Sequence, residues 1–194
     1  MLSIIIPIYN EEKTLEEVVL KTQKVFQESK NNYEIILVND GSKDKTREII
    51  ENIKDSHIVA IHHETNYGKG KALQSGIKKA TGNYIAIQDA DLEYDPINLF
   101  KLSQIAIEKN TVIYGKRDGK QGYILNRIGN KILSLTCNIL FWSKMSDIYT
   151  CYKIVPRELM QSLDLKSNGF EIEAEITAKI LKKKIEIIEI PISY

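Results

Sequence analysis

The residues best equipped for chemistry stand at Asp89-Ala90-Asp91, directly after the apolar run Tyr84-Ile85-Ala86-Ile87, with Glu93 and Asp95 extending the acidic group. Carboxylates crowded into a crevice repel, and a hard divalent cation relieves that repulsion while keeping coordination positions for phosphate oxygens. Asp89, Asp91 and Glu93 are therefore candidate metal ligands. A calcium loop counted from Asp89 needs glycine at its sixth position and glutamate at its twelfth, where Tyr94 and Phe100 stand, so that chemistry is excluded. A phosphatase working through an aspartyl phosphate would carry its motif near the amino terminus, followed by Thr or Val rather than Glu93. A solvated acidic loop ahead of a helix that starts with Asp95 as N-cap and Pro96 at its first position is the plain alternative.

A second candidate is Asn66-Tyr67-Gly68-Lys69-Gly70-Lys71. It lacks the glycine spacing of a P-loop and the Ser or Thr after lysine, because Ala72 takes that place, and it is not a Gly-x-Gly-x-x-Gly fingerprint. Two readings stay open: a helix start whose amides and lysines face an anion, or an ordinary entry to an amphipathic helix. His62 and His63 are neighbours on a strand end and point to opposite faces, so a joint metal site is not expected. Lys182-Lys183-Lys184 ends a helix and complements its dipole.

These residues need a scaffold, and the first 115 positions supply its pattern. Short β-branched runs, Leu2 to Tyr9, Glu34 to Asn39, His57 to His62, Tyr84 to Gln88 and Thr111 to Gly115, alternate with amphipathic helical stretches. That is the signature of a parallel sheet covered by crossover helices. Leu15, Val18, Val19, Thr22, Val25 and Phe26 recur at helical spacing in the first stretch. The stretch from Lys69 to Ala80 repeats the pattern and is expected to stop at Thr81-Gly82 with a glycine cap. Each run turns polar where it ends: Tyr9-Asn10-Glu11, Asn39-Asp40-Gly41-Ser42, His62-His63, Asp89-Ala90-Asp91, Lys116-Arg117. In open α/β sheets the carboxyl ends of the strands form the ligand crevice, so this convergence marks a site. Taken singly, Asn10, Ser42 and Asp44 read equally as helix caps, and Asp40-Gly41 as a turn.

The chain has 194 residues, 27 basic and 26 acidic, for a net charge of +1, and is 43% hydrophobic. It is read as one globular unit over 1–194 with no linker or repeat, and near-neutral charge gives no reason to expect a nucleic-acid partner. No apolar run approaches the roughly 18 residues of a membrane span, and the start lacks a signal-peptide pattern, so a cytoplasmic location is expected. Cys137 and Cys151 read as two buried thiols. From Tyr123 to Trp142, Ile128, Ile132, Leu135, Ile139 and Trp142 form one stripe, opposite Arg127, Asn130, Lys131, Ser134 and Asn138. The apolar arc is wide. It suits a helix packed between sheet and neighbour, or one lying at a membrane surface.

Four ordered segments carry a family resemblance: Ser3-Ile-Ile-Ile-Pro-Ile-Tyr-Asn-Glu-Glu12, Ile36-Leu-Val-Asn-Asp-Gly-Ser-Lys-Asp-Lys-Thr46, Asn66-Tyr-Gly-Lys-Gly-Lys-Ala72 and Gln88-Asp-Ala-Asp-Leu-Glu-Tyr-Asp-Pro96. Together they resemble family 2 glycosyltransferases of the GT-A fold, in the branch of dolichyl-phosphate mannose synthase and bacterial polyprenyl-phosphate sugar transferases. The likeness continues through Tyr114-Gly-Lys-Arg117, Asp147-Ile-Tyr-Thr-Cys-Tyr-Lys153, Gly169-Phe-Glu-Ile-Glu-Ala-Glu175 and Glu189-Ile-Pro-Ile-Ser-Tyr194. It implies a Rossmann-like α/β/α sandwich with a mainly parallel central sheet. Cys151 departs from the glycine of many relatives. Because relatives continue with a basic segment and often membrane helices, a truncated or naturally minimal catalytic domain is expected.

The resemblance also implies roles. Pro7, Tyr9 and Glu11 match the loop that holds base and ribose, Asp40 the carboxylate at the nucleoside, and Lys71 the segment lining the nucleotide pocket. Asp89 matches the sugar-nucleotide contact, Asp91 and Glu93 the Mg2+ or Mn2+ ligands. Arg117 and Arg127 resemble the basic residues that meet donor and acceptor phosphates, a role suited to a planar guanidinium. The implied reaction is inverting transfer from a UDP- or GDP-sugar to a polyprenyl phosphate, at the cytoplasmic face of a membrane. With a glycan hydroxyl as acceptor a general base is needed, and Glu171 or Glu173 is the place to look; Glu171 reads equally as the third residue of a capping box begun by Asn168. Nucleotidyl transfer on a similar fold, and a nucleotide-sugar-binding module without turnover, are the alternatives.

Overall fold

The computed structural model describes residues 1–28, 32–117 and 124–193; the side chains of 124–128 and 131 lie outside the description. The strands are β1 (Leu2–Ile8), β2 (Tyr33–Asn39), β3 (Ile58–His62), β4 (Tyr84–Ile87), β5 (Val112–Arg117), β6 (Lys153–Pro156) and β7 (Ile187–Ile192). The helices are α1 (Leu15–Glu28), α2 (Thr46–Asn52), α3 (Lys69–Lys79), α4 (Pro96–Lys109), α5 (Ile124–Phe141), α6 (Arg157–Gln161) and α7 (Ile172–Lys182).

One seven-stranded sheet runs in the order β3-β2-β1-β4-β6-β5-β7. β1 is parallel to β2 and β4, and β2 to β3. Only β6 runs antiparallel to its neighbours β4 and β5, while β7 closes the far edge parallel to β5. The central strands read as unbroken apolar runs because both faces are covered: Ile4, Ile5, Ile6, Ile35, Ile36, Leu37, Ile85 and Ile87 are all inaccessible to solvent. Helix α1 contacts α2 and α4 in one layer, and α3 contacts α6 and α7, with α5 on α7, in the other, which completes a three-layer α/β/α sandwich.

The amino-terminal ends of the strands are pinned by one buried carboxylate. Glu34 Oε1 accepts from Ser3 Oγ at 2.5 Å and from Thr81 N at 2.7 Å, so β1, β2 and the turn into β4 share a partner. Burial pushes the Glu34 carboxyl up, but these donors outweigh it and hold it below its ordinary value.

Local signals hold in part. Asp95 caps α4 by accepting from Ile97 N at 3.0 Å, with Pro96 at the first position. The expected glycine cap of α3 does not form. The helix stops at Ala80, whose backbone is extended, and the Gly82 amide instead donates to Ser3 Oγ. Both cysteines are buried free thiols.

Helix α5 is the element that departs furthest from ordinary packing. Its inward face is mixed: Cys137 and Phe141 pack on the core, while Ser134 is buried, Asn130 donates to Asp147 Oδ1 at 2.8 Å, and Asn138 donates to Met145 O at 2.8 Å. The apolar stripe points out, with Ile132 58%, Leu135 60%, Ile139 68% and Trp142 96% exposed. Packing the stripe on the sheet, one of the two expectations, is therefore overturned for these residues. Among the described residues no helix is long and apolar enough to cross a membrane.

Candidate active site

The carboxyl ends of β1, β2 and β4 open into a cavity of about 450 Å³. Of the expected site residues, Pro7, Tyr9, Glu11, Asp40, Asp89 and Asp91 line it together. Gly68 and Lys69, which fall in the second candidate segment without a role of their own, line it as well, together with Phe170.

The floor is built by loops that lace β1 to β2. Ser42 Oγ accepts from Asn10 N at 2.9 Å, Asn10 Oδ1 accepts from Lys43 N at 2.8 Å, and Thr46 Oγ1 accepts from Glu11 N at 2.9 Å. Asp44 accepts from Thr46 N at 3.0 Å and from Glu12 N at 3.1 Å, so it holds the first amide of α2 from ahead of the N-cap residue Lys45 and ties the two loops at once. The side chains that read as caps or turns thus fix the position of Tyr9 and Glu11.

Asp40 is buried, and its donors explain why. Oδ2 accepts from Gly68 N at 2.7 Å, Oδ1 from Tyr67 N at 3.1 Å, and Oδ1 meets His63 Nδ1 at 2.6 Å. The other ring nitrogen, His63 Nε2, meets Ser75 Oγ on α3 at 2.8 Å. Asp40 therefore holds the entry of α3 against β2. His63 is a residue the sequence reading set aside; its ring meets Asp40 and Ser75 and so orients Asp40. Gly68 sits at φ 98°, and a Cβ there would lie 2.4 Å from Asn168 O, so only glycine fits where this loop crosses the one before α7.

The phase of α3 decides between its lysines. Lys71 is exposed and lines a different cavity of about 510 Å³ with Gln74, Ser75 and Lys78. Lys69, two positions earlier, turns into the strand-end cavity: Nζ is 2.8 Å from Asp89 Oδ1 and 3.1 Å from Glu173 Oε1. Burial alone would favour losing the proton, but Glu173 and Asp89 outweigh it and hold the ammonium well above its ordinary range. Phe170, largely exposed, places its ring centroid 5.7 Å from Lys69 Nζ, within cation–π reach.

The acidic turn is held from behind. Gln88 accepts from Tyr152 OH at 2.7 Å, and Tyr94 OH accepts from Cys151 N at 3.2 Å. Leu92 sits at φ 65°, a left-handed position costly for a non-glycine residue, and Glu93 N donates to Asp91 Oδ1 at 3.1 Å. Asp91 reaches solvent at the cavity rim, yet its carboxyl is pushed up to about 6 by partial desolvation, then by Asp89, Glu93 and Glu11 around it. Glu93 lines a smaller cavity of about 290 Å³ beside Lys21 and Asp95.

Among the described residues no three Asp, Glu, His or Cys side chains converge closely enough to hold a metal ion by themselves. The donor set nevertheless fits one kind of site. Mg2+ and Mn2+ favour hard oxygens, and Mg2+ in particular takes one or two carboxylates and completes its shell with substrate phosphates and water. Asp91, a carboxylate under like-charge stress that faces the cavity, meets that requirement.

Of the other expected residues with described side chains, Arg117, Glu171 and Glu173 are not among those that line the cavity. Arg117 forms a two-pronged pair with Asp147, Nε to Oδ2 at 2.7 Å and Nη2 to Oδ1 at 2.8 Å. Burial pushes Asp147 up, but Arg117 and Asn130 outweigh it and keep the carboxyl below its ordinary value. Glu173 is buried, with Oε2 accepting from Lys153 Nζ at 2.5 Å. Lys153 is itself buried and also donates to Thr150 O. Glu171 is exposed and accepts from Gly169 N at 3.0 Å, which lowers its carboxyl; the capping box expected from Asn168 does not form, because Glu171 is itself the residue before α7 and makes no side-chain cap bond. Of Arg127 only the backbone within α5 is described, so its expected phosphate contact lies outside the described side chains.

A three-layer sandwich with an Asp-x-Asp turn at the end of a central strand, facing a cavity walled by the loops after β1 and β2, is the architecture of a GT-A glycosyltransferase. The family model for glycosyl transferase family 2 matches residues 3–163, and the chain belongs to that family. It is 32% identical over 152 residues to the undecaprenyl-phosphate 4-deoxy-4-formamido-L-arabinose transferase of Proteus mirabilis (strain HI4320), covering 77% of this chain and 46% of that one. The enzyme of the same name from Pseudomonas fluorescens (strain Pf0-1) is 33% identical, covering 77% and 44%. The chain thus spans about half the length of these curated relatives. Among solved structures, glucosyl-3-phosphoglycerate synthase from Mycobacterium tuberculosis in complex with Mn2+, uridine diphosphate and phosphoglyceric acid superposes with a TM-score of 0.77 at 17% identity, over 100% of this chain and 69% of that one. The same synthase with Mg2+ and uridine diphosphate gives 0.76 at 17% identity, with the same coverage. At that identity the likeness concerns the fold.

Proposed function

We propose that the chain is the catalytic domain of an inverting sugar transferase that uses a UDP- or GDP-linked donor and a polyprenyl phosphate acceptor at the cytoplasmic face of a membrane. The observation that carries this reading is the meeting of Asp91 with Tyr9, Glu11 and Asp40 in one cavity. An exposed aromatic, a buried carboxylate that orders the loop at Gly68, and an acidic turn are what a nucleoside diphosphate needs along its length. The relatives support the acceptor, since both are named as undecaprenyl-phosphate sugar transferases.

In the proposed reaction an oxygen of the acceptor phosphate attacks the anomeric carbon on the face opposite the nucleoside diphosphate. The bond to the diphosphate breaks with its electron pair staying on the leaving oxygen. A divalent cation, Mg2+ or Mn2+, held through Asp91 would supply positive charge where that negative charge develops. Tyr9 and Phe170 flank the mouth, and Asp40 keeps the Gly68 amide and α3 in register. A phosphate nucleophile arrives as an anion and needs no general base. That agrees with the seating of the two carboxylates considered for the role, because Glu173 is committed to Lys153 and Lys69, and Glu171 to Gly169. The outward apolar stripe of α5 supports contact with a bilayer surface, where a polyprenyl acceptor resides.

A thermal-shift series with UDP, GDP, CDP and dTDP, with and without Mn2+, tests the donor site. A ligand at about a hundred times its dissociation constant stabilises by about 2.7 kcal/mol. Metal-dependent stabilisation by one or two nucleotides is expected; a flat response from all four in folded protein contradicts a donor pocket.

A further inference from the structure

Four charged side chains alternate in sign from the acidic turn into the core. Asp89 Oδ1 is 2.8 Å from Lys69 Nζ, Lys69 Nζ is 3.1 Å from Glu173 Oε1, and Glu173 Oε2 is 2.5 Å from Lys153 Nζ. The inner pair is buried: Lys153 is inaccessible, Glu173 nearly so, and Lys153 is also tied to Thr150 O. The outer pair faces the cavity, with the side chains of Lys69 and Asp89 14% and 21% exposed.

Lys69 therefore touches two carboxylates of different kinds. Asp89 belongs to the acidic turn, where a divalent cation would compete for the same oxygens. Glu173 belongs to the core and is held still by Lys153. We infer that Lys69 is a positioning residue that occupies the cation seat on Asp89 in the unloaded enzyme and yields it, settling onto Glu173, when a divalent cation arrives with the donor. The inference rests on the proposed metal-assisted reading of the site and adds a role for Lys69, Glu173 and Lys153 within it.

The physical argument is one of charge. An ammonium in contact with Asp89 neutralises part of the field that draws a cation to the Asp89–Asp91 turn. A divalent ion seated there repels the ammonium in turn. Without a second carboxylate in reach, displacing Lys69 would strand a partly buried charge, which is costly. Glu173 removes that cost, since its Oε1 already lies 3.1 Å from Lys69 Nζ. The donor's diphosphate adds negative charge to the cavity and tips the exchange. Metal alone is thus held weakly, and metal with donor is held well.

The test is Mn2+ binding, followed by the loss of the free-ion electron paramagnetic resonance signal, for wild-type protein, Lys69→Met, Lys69→Gln and Lys69→Arg without nucleotide. An adjacent opposite charge shifts occupancy of a carboxylate by about tenfold or more, so the Met and Gln variants are expected to bind Mn2+ about tenfold more tightly than wild type. Lys69→Arg keeps the charge and is expected to behave as wild type. Lys69→Gln keeps a hydrogen-bond donor for Glu173, so the comparison survives if the Met variant folds poorly. Mn2+ affinity in both neutral variants equal to or weaker than wild type overturns the inference. Repeating the wild-type titration with UDP and with GDP separates the two levels. Uptake with a nucleotide, but no gain in the variants, removes the role of Lys69 alone; no uptake with either nucleotide removes the metal reading, and this inference with it.

Discussion

Lys153 and Glu173 form an ion pair 2.5 Å long with both side chains buried, one on β6 and the other in the first turn of α7. Breaking such a pair from one side leaves an uncompensated buried charge, whereas replacing both partners with apolar groups removes the problem. Lys153→Met is expected to cost up to about 3–5 kcal/mol in urea unfolding, less the part that Lys69, 3.1 Å from Glu173 Oε1, still compensates, and adding Glu173→Leu to recover most of it. A loss below about 1 kcal/mol in the single variant would mean that Lys69 alone balances Glu173.

Asp40 organises three donors, from His63, Tyr67 and Gly68. Asp40→Ala leaves buried amides and an imidazole without their acceptor, at about 1–3 kcal/mol for each group not rescued by water. Lower unfolding stability is expected together with a raised KM for donor. An unchanged KM would show that the Gly68 loop holds its shape without Asp40.

Asp91 and Glu175 give opposite pH signatures. The Asp91 carboxyl, raised from 3.8 to about 6, binds its proton more tightly in the folded chain, so its contribution to stability is present at low pH and is lost as pH rises through about 6. Asp91→Asn should raise the metal-free melting temperature at pH 7 to 8, by the equivalent of about 1 kcal/mol or less after solvent screening, and should do little below about pH 4. Glu175 is lowered to about 2: burial opposes this, but Lys179 and the amides of Ser167 and Lys166 outweigh it. Its contribution is present above its unfolded value and is lost as pH falls toward 2, so Glu175→Gln should flatten the acid limb of the stability curve. Melting curves across pH 3 to 8 check both; a Glu175→Gln profile parallel to wild type would contradict the second.

Trp142 is the chain's single tryptophan and is 96% exposed, just past the end of α5 and three residues after the exposed Ile139. Its emission should shift to the blue on adding anionic vesicles if that face meets lipid. Ile139→Glu should abolish the shift with unfolding stability changed by no more than about 0.5 kcal/mol, as for exposed sites generally. A large stability loss in Ile139→Glu would place the stripe in a protein contact instead.

Much of the site was legible because strand-end chemistry is local. The runs ending at Tyr9, Asn39 and Gln88 are β1, β2 and β4 with small shifts, and the polar residues just beyond them do meet in one cavity. Three things were not legible, each for a physical reason. Choosing Lys69 over Lys71 depends on the rotation of α3, which Gly68 and the crossing at Asn168 set from a hundred residues away. The antiparallel insertion of β6 between β4 and β5 is long-range pairing that no local period reports. The turning of α5 is invisible to periodicity, because an amphipathic pattern says which residues share a face and not which solvent that face meets. His63 was set aside because a joint metal site with His62 was not expected, but the same alternation that separates it from His62 is what delivers it to Asp40.

The most direct measurement is transfer itself: radiolabelled UDP- and GDP-sugars incubated with undecaprenyl phosphate, the 194-residue chain and Mn2+, with label followed into the organic phase. The account predicts label in lipid with at least one donor, dependent on the divalent cation, and a fall of about a hundredfold or more in Asp91→Asn, comparable to losing a principal electrostatic contribution at the reacting centre. Lipid labelling by Asp91→Asn at the wild-type rate, or label that stays entirely in the aqueous phase with every donor while the chain is folded, would contradict it.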